Sequence, residues 1–582
     1  MENRATEDAS PGGTSAVDLD TEVDDLPAGR SLGENVSSLF AAQIITWIIA
    51  VALVVLVPRF LGATAIGQLQ IAESVWAIAA VFAGLGTETV VTLDIARDRR
   101  RGAQVIAPVL LARALFFIVA AGAVAVVAAT LYDSDLALLF VIVGCGMVFA
   151  GTAEVGVAAL QGFEDLAVQS RANIVSKAVS AVAVLIALFA GAEIETIAII
   201  VGATAGLYTL LLFRYVRRYA RIEWHATVRE AMTVARRGLP YLFGGATMVV
   251  YTQIDSIVIS LLIDSEQVGW YAAADRLMAT SLFVPTALMT ALFPVLARLH
   301  NEDREAAERI LDDGFRSLLV LALPIGVGII VIARPFTRFL YGDDFIESGP
   351  VFAVFGVVLA IMFQTILLGQ YAVATGREKF FFGLLAAVTV LSVPLDLVLV
   401  PWTNDQFGNG AIGGALAYVV TEGIVLVVAV KVMAPNVVNG AMFIRLLKCG
   451  VAAGVMAAAI WPLRSIFVLV PIGVGAAVYL IGIVVLRTLD ERETEAVGAL
   501  VDRVRRRGGD DEWTDDGSTD DGSTDDEQPR VDHHDTGDVP GGGATSTTTT
   551  TSATSAADES GGATGDSDRS GFPPPWPPPT SH

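Results

Sequence analysis

Two apolar stretches in the first third of the chain decide its fold class: residues 104–130, QVIAPVLLARALFFIVAAGAVAVVAAT, and residues 136–160, LALLFVIVGCGMVFAGTAEVGVAAL. Each exceeds the roughly 20 residues that an α-helix needs to cross the ~30 Å hydrocarbon core of a bilayer. Only five residues separate them. The two stretches therefore predict consecutive transmembrane helices.

Similar apolar blocks continue outward, from about Val36 to Val485. The whole chain is 54% hydrophobic and 17% charged, and its mean hydropathy is +0.61. A soluble fold does not bury so many continuous apolar blocks, so we predict an all-α membrane protein with about fourteen transmembrane helices. The predicted spans are 36–57, 71–92, 104–130, 136–160, 170–190, 194–213, 239–262, 269–294, 317–333, 350–374, 380–400, 410–433, 442–462 and 465–486.

A basic segment divides twelve of these spans into two groups of six. The predicted organisation is an acidic N-terminal tail (1–35), a first group of six helices (36–213), a basic linker (214–238), a second group of six (239–433), two additional helices (434–488) and a C-terminal tail (489–582). The last tail is predicted to be disordered from about residue 508. Its acidic, Thr/Ser-rich and proline-rich runs cannot bury enough apolar surface to order themselves.

The distribution of basic residues predicts the orientation in the membrane. Connections rich in Lys and Arg are retained on the cytoplasmic side. The even-numbered connections, together with the span ends beside them, contain 21 Lys and Arg residues, whereas the odd-numbered connections contain 4. Both termini and the linker at 214–238 are therefore predicted to be cytoplasmic. The acidic first thirty residues do not resemble a cleavable signal, so the first span is expected to be retained.

Net charge and cysteine content exclude other classes of function. The formal net charge is -23, and only four of the 38 basic residues are lysine. This acidic composition argues against nucleic-acid binding and suggests a salt-loving host. Cys145 and Cys449 lie in or beside apolar blocks, so we expect no disulfide framework.

Short similarities suggest an internal repeat. Residues 66–73, from Ile-Gly to Ala-Glu, align with residues 268–275, from Val-Gly to Ala-Asp, at an offset of 202. Residues 162–164, Gly-Phe-Glu, likewise resemble residues 376–378, Gly-Arg-Glu. Because the offset corresponds to six spans, an even number, the two halves should run in the same direction and be related by an axis along the membrane normal.

Ionisable residues inside predicted spans are the candidates for function. Each costs roughly 2.5 to 3.5 kcal/mol to insert, so it should face a wet or protein-lined interior. The alternative is that residues near a span end reach the membrane surface, as Glu154, Lys177 and Asp396 can. The repeat superposes Glu73 on Asp275, which gives these two acids more weight. The full set is Glu73, Arg113, Glu154, Lys177, Asp255, Asp275, Arg276, Asp396 and Glu422.

Several soft motifs resemble one family of transporters. They are Arg59-Phe60-Leu61-Gly62, Ile66-Gly67, Ala83-Gly84-Leu85-Gly86, Asp94-Ile95-Ala96, Gly238-Leu239-Pro240, Asp255, the run from Val268 to Arg276, Pro285, Leu292-Phe293-Pro294 and the run from Phe339 to Phe345. Between about Ser37 and Met433, the chain resembles the polysaccharide-biosynthesis flippases of the multidrug/oligosaccharidyl-lipid/polysaccharide exporter superfamily.

This resemblance implies a fold and a function. The two groups of six helices are expected to form two lobes around a central cavity that opens alternately to each side. The two additional helices make the chain similar to lipid-linked-sugar flippases with fourteen spans, rather than to drug exporters with twelve. We therefore expect the chain to translocate a polyprenyl- or dolichyl-linked oligosaccharide to the outer leaflet, for surface glycan or glycoprotein assembly. Glycan-assembly enzymes are the expected protein partners.

Within that hypothesis, the ionisable residues take specific roles. Arg113, Lys177 and Arg276 are predicted to bind the phosphate-bearing head group, because a phosphate that leaves water needs charge-assisted donors. Glu73, Asp255 and Asp275 are predicted to be cavity or coupling acids. No cofactor, metal site or Walker-type phosphate loop is expected; the only adjacent histidines, at 533 and 534, lack further ligands at a defined spacing.

Two rival functions remain open. A cation-coupled multidrug exporter of the same superfamily would need an acid that cycles a proton or sodium ion. A membrane glycosyltransferase or polymerase often displays paired acids on an outer loop, as Asp133-Ser134-Asp135 does. That loop is too short for a donor-binding domain, so a transporter that is not an enzyme is preferred.

Overall fold

The computed structural model describes residues 32–488, which form fifteen α-helices and no β-strand. They are α1 (Leu32–Gly84), α2 (Thr87–Arg97), α3 (Gly102–Leu131), α4 (Ser134–Gly162), α5 (Leu166–Phe189), α6 (Ile194–Tyr219), α7 (Val228–Leu262), α8 (Ser265–Ser281), α9 (Phe283–Glu302), α10 (Arg304–Tyr341), α11 (Ser348–Ala374), α12 (Glu378–Phe407), α13 (Ala411–Met433), α14 (Gly440–Ile460) and α15 (Leu469–Val485). The all-α prediction is confirmed for this range. The predicted acidic tail up to residue 31, and the C-terminal tail from 489 with its predicted disorder, lie outside the described residues.

Eleven helices of the described range are long and apolar enough to cross a bilayer: α1, α3 to α7 and α10 to α14. The bent pair α8 and α9 makes a twelfth if it counts as one span. The chain is therefore a multi-pass membrane protein. The number fourteen stays a prediction, because α1 runs through two predicted spans and α15 has only 17 residues.

Two predicted spans are interrupted in the structure. The span predicted at 71–92 is divided, since α1 ends at Gly84 and α2 begins at Thr87. Between them, Leu85 and Gly86 have positive φ angles of 55° and 64°, and a residue in this left-handed region commonly ends a helix. The span predicted at 269–294 is divided between α8 and α9.

A bend in α1 separates its two apolar parts. Gly62 has a φ of 81° and a ψ of 170°, outside the helical region. Glycine adopts positive φ readily because it has no Cβ. Pro58 precedes it by one turn and removes a backbone donor from the same region. The bend falls where the first predicted span gives way to the second.

Helices pack mainly with others of the same half of the chain. In the first half, α4 packs on α6, α2 and α3, and α5 packs on α6. In the second half, α11 packs on α9, α10 and α13, and α12 packs on α13. Helices α14 and α15 pack on each other and on α10. The halves meet where α1 packs on α7 and α8, and where α7 packs on α2 and α3.

Two glycines let the backbones of α1 and α8 touch. A Cβ on Gly67 would overlap the carbonyl oxygen of Ser265 and lie 2.7 Å from its carbonyl carbon. On the facing helix, a Cβ on Gly269 would overlap the carbonyl oxygen of Ala63. Only a residue without a side chain allows this approach. Gly67 and Gly269 are also the residues that the internal repeat aligns with each other.

A second contact between the halves lies nearer the arginine-rich linker. A Cβ on Gly238 of α7 would overlap the carbonyl oxygen of Leu85. Nine residues after Leu85, Asp94 of α2 accepts two hydrogen bonds from Arg237, at 2.6 and 2.8 Å. This bidentate pair ties α2 to α7.

Candidate functional site

Glu73 of α1 and Arg276 of α8 form an ion pair between the two halves, with 3.8 Å between Arg276 Nη2 and Glu73 Oε2. The pair lies roughly 9 Å along α1 from the Gly67 crossing, at about 1.5 Å per residue. The Arg276 side chain is 25% exposed and the Glu73 side chain 38%. Two predicted site residues are therefore in contact at a position that is not fully buried within the protein.

Uncharged polar side chains extend this site towards α7. Ser74 Oγ donates to Gln253 Oε1 at 2.7 Å, and Gln70 Nε2 donates to Ser74 Oγ at 3.1 Å. Gln70, Glu73 and Ser74 share one face of α1, because residues three and four apart do so. Gln70 and Gln253 are not among the residues predicted from sequence, because only ionisable groups were considered. Polar amides inside apolar spans are a similar signal.

The acids Asp255 and Asp396 lie side by side in the second half. Asp255 of α7 is 6% exposed and accepts a hydrogen bond of 2.8 Å from the Tyr271 hydroxyl. The carboxyl of Asp396 on α12 adjoins it and is fully buried, and no described donor reaches either of its oxygens. Adjacent buried carboxylates repel each other and lose their hydration, so the pair requires a shared proton or a bound cation. Asp275, the remaining predicted acid, is partly buried on α8.

Glu422 of α13 is a further buried acid, 3% exposed. Its two oxygens accept hydrogen bonds of 2.9 Å from the hydroxyls of Tyr251 on α7 and Thr365 on α11. Tyr251 precedes Asp255 by one helical turn. The second half therefore contains three buried carboxyl groups whose described contacts are hydroxyls and other acids.

Arg113 of α3 is 3% exposed and its guanidinium is closely bound. It donates to Glu88 at 2.7 Å, to Glu154 at 2.8 Å, to Thr87 Oγ1 at 3.0 Å and to the carbonyl of Gly151 at 2.5 Å. These contacts join α2, α3 and α4. A phosphate at Arg113 would have to displace one of the two carboxylates.

The three predicted cations are not clustered by their contacts. Lys177 has an exposed side chain on α5 and forms no ion pair within the described range. Arg113 contacts residues of the first half, and Arg276 contacts Glu73 across the two halves. Of the three, Arg276 is the one that lies between the halves.

An apolar groove of about 950 Å³ runs beside the Arg276 site. Its walls come from α1, α8, α10, α11, α14 and α15, and include Val54, Ile325, Phe336, Met456 and Tyr479. On α8 it is lined by Leu277, Thr280 and Ser281, which follow Arg276 directly or after one turn. The groove therefore adjoins the charged site, and the two additional C-terminal helices supply one of its sides.

Comparison with protein families confirms the resemblance predicted from sequence motifs. A family model described as "Polysaccharide biosynthesis protein" matches residues 32–300, and the MatE model matches residues 240–398. The probable low-salt glycan biosynthesis flippase Agl15 of Haloferax volcanii is 22% identical over 173 residues, which are 29% of this chain and 36% of the relative. The probable lipid II flippase MurJ of Haemophilus influenzae is 27% identical over 191 residues, 30% of this chain and 37% of the relative. The chain thus spans only about a third of the length of these relatives.

Solved structures match over a larger part of the chain. The lipid II flippase MurJ in an inward closed conformation has a TM-score of 0.63 at 15% sequence identity, covering 77% of this chain and 98% of that one. An inward-facing multidrug resistance MATE family transporter of the MOP superfamily has a TM-score of 0.51 at 16% identity, covering 67% and 96%. At these identities the similarity establishes the fold.

Proposed function

We propose that this chain, which resembles the polysaccharide-biosynthesis flippases of the multidrug/oligosaccharidyl-lipid/polysaccharide exporter superfamily, moves a lipid-linked oligosaccharide across the cell membrane, for surface polysaccharide or glycoprotein assembly. The observation that carries the proposal is a charged, partly exposed site beside an apolar groove of about 950 Å³. A lipid-linked sugar has a phosphate-bearing head and an apolar tail. The two parts of the site match the two ends of such a molecule.

The head group is proposed to bind at Arg276. A guanidinium offers a planar fork of donors that suits a phosphate or diphosphate, and a polar environment replaces the water that the phosphate loses. Gln70, Ser74 and Gln253 add uncharged donors and acceptors that sugar hydroxyls can use. Arg113 and Lys177 are proposed to contact the head group at other steps of its movement across the membrane. To bind at Arg113, the phosphate must displace the carboxylate of Glu88 or Glu154.

The lipid tail is proposed to lie in the groove between α1, α8, α10, α11, α14 and α15. Burying apolar surface there contributes about 25 cal/mol per Å². A polyprenyl or dolichyl chain is apolar along its whole length and matches this lining. The position of α14 and α15 on this groove gives the two additional helices a role in the transport of a lipid.

The arrangement in the membrane is part of the proposal. We propose fourteen spans, two six-helix lobes at 36–213 and 239–433, and cytoplasmic termini. The basic connections support this orientation. The relative from Haloferax volcanii fits the salt-loving host that the acidic composition suggests. Glycan-assembly enzymes are the proposed partners.

The pair of buried acids keeps a cation-coupled exporter as the second candidate. Asp255 and Asp396 need a proton or cation, which a coupled transporter would exchange during its cycle. The same pair serves equally as the coupling site of a flippase. An enzyme is not favoured, since the turn between α3 and α4 consists of Tyr132 and Asp133 only, and the relatives named above are flippases.

Reconstitution in vesicles separates these candidates. Vesicles with labelled lipid-linked oligosaccharide in both leaflets are treated with a membrane-impermeant glycosidase that cleaves only the exposed label. Complete cleavage with the protein, but half cleavage without it, supports the flippase. A new glycosidic product would instead identify an enzyme. Uptake of a cationic dye driven by a pH or sodium gradient, with half of the lipid label still protected, would identify a drug exporter.

A further inference from the structure

Arg113, Arg237 and Arg276 each join helices through carboxylates, and they differ in how tightly they are bound. Arg113 makes four hydrogen bonds, and Arg237 binds Asp94 in bidentate fashion. Arg276 lies 3.8 Å from Glu73, beyond the 2.7 to 2.9 Å typical of a charge-assisted hydrogen bond. Its guanidinium donates no hydrogen bond to any carbonyl or side chain that the structure describes. Arg276 therefore keeps its donors available.

We infer that Glu73 is an exchangeable counter-ion, which holds the place of the substrate phosphate on Arg276 while the transporter is unloaded. This inference rests on the proposed function, because it assumes that a phosphate-bearing head group binds at Arg276. It adds a role for Glu73 as the residue that the substrate must displace.

The charges of the site favour such an exchange. An arginine inside a span needs a neutralising group, and Glu73 supplies one when no substrate is present. A diphosphate brings more negative charge than one carboxylate and can accept two parallel hydrogen bonds from a guanidinium. Both partners are partly exposed, so an incoming anion can reach Arg276 and the released carboxylate can be hydrated. The exchange therefore does not leave a buried, unpaired charge.

Exchange also changes how the two halves are held together. The Glu73–Arg276 pair connects α1 to α8, roughly two turns from the glycine crossing of the same helices. When a phosphate takes the place of Glu73, this ionic tie between α1 and α8 is lost and the phosphate stays with α8. Binding of the head group is thereby linked to the loss of an ion pair between the two halves of the chain.

The test measures binding of inorganic pyrophosphate to the full-length purified protein by titration calorimetry. A partly exposed ion pair is worth up to about 1 kcal/mol, which corresponds to about fivefold in affinity. Glu73→Gln should therefore tighten pyrophosphate binding by up to about fivefold, and Arg276→Gln should abolish it. In a variant that carries both substitutions, Glu73→Gln should not increase the affinity for pyrophosphate. Because a tighter ligand stabilises the fold more, pyrophosphate should also raise the melting temperature of Glu73→Gln more than that of the unmodified protein.

Asp275→Asn is the matched control, because it removes the same charge one residue away from Arg276 on a different face of α8. A smaller gain for Asp275→Asn than for Glu73→Gln is expected. Equal gains would show a general electrostatic effect and overturn the exchange. Loss of binding in Arg276→Gln, with unchanged affinity in Glu73→Gln, would overturn the role of Glu73 and leave the head-group site intact. Binding that is unaffected by Arg276→Gln, or absent throughout, would overturn both the exchange and the proposed head-group site.

Discussion

The contact between α1 and α8 at Gly67 should be sensitive to a single methyl group. In Gly67→Ala, the added Cβ would overlap the Ser265 oxygen and lie 2.7 Å from its carbonyl carbon, where an ordinary contact is at least 3.4 Å. The two helices must therefore move apart by at least 0.7 Å locally, which is the difference between these distances. Overpacking of this kind costs about 1 to 3 kcal/mol. If only one conformation of the transport cycle has this contact, its population should fall by about fivefold to a hundredfold.

Reactivity of a cysteine at position 265 measures this change, in a background whose two native cysteines are replaced. The side chain at this position is partly buried and its own carbonyl group lies at the crossing, so the cysteine should react faster with a maleimide when α1 moves away. Gly122→Ala is the matched control, since no atom lies within 4 Å of the added Cβ. It should leave the labelling rate unchanged. Equal labelling rates and melting temperatures for Gly67→Ala and its parent would refute the close crossing.

Three further predictions address orientation and stability. On intact cells, an impermeant thiol reagent should label a cysteine at Glu266 and not one at His225, because the basic-residue count places 266 outside. Asp94→Asn should destabilise the purified protein by about 1.5 to 3 kcal/mol, since it weakens the two charge-assisted hydrogen bonds from Arg237; thermal unfolding in detergent measures this. Glu422→Gln should keep its two hydroxyl contacts and nearly full stability. Glu422→Ala should remove the 2.9 Å acceptor of two buried hydroxyls, which are left with the longer contacts to Thr421 and Met362, and lose about 1 to 3 kcal/mol.

Each of these predictions has a result that contradicts it. Labelling at position 225 but not at 266 would reverse the orientation. Unchanged thermal stability of Asp94→Asn would show that its pair with Arg237 does not hold α2 to α7. Equal stability of the two Glu422 variants would show that its hydroxyl contacts are not needed in the membrane.

Sequence periodicity was enough to predict the helices, because each apolar block must satisfy its backbone internally in a bilayer. It was not enough to place the breaks. The break at Leu85 and Gly86 depends on two left-handed backbone angles within a continuous apolar run. The bend at Gly62 likewise follows from backbone conformation, which hydropathy does not reveal.

Candidate residues were easier to select than to pair. An ionisable group in a span is visible in the sequence because of its insertion cost. Its partner depends on which helices meet in space, and the pairs Glu73–Arg276 and Asp255–Asp396 join residues far apart in the chain. The close contacts of Arg113 with Glu88 and Glu154 were equally invisible before the fold was known.

The dependence of transport on both ends of the substrate tests the proposed function most directly. In reconstituted vesicles, the initial rate of head-group translocation is measured for one oligosaccharide diphosphate on a long polyprenyl tail and on a short, membrane-bound tail. We predict fast movement of the long-tailed substrate and slow movement of the short-tailed one. Arg276→Gln should reduce the long-tailed rate by about tenfold to a hundredfold, the equivalent of losing a charge-assisted contact of 1.5 to 3 kcal/mol. Equal rates for both tails, together with full activity of Arg276→Gln, would contradict a site that recognises head and tail together.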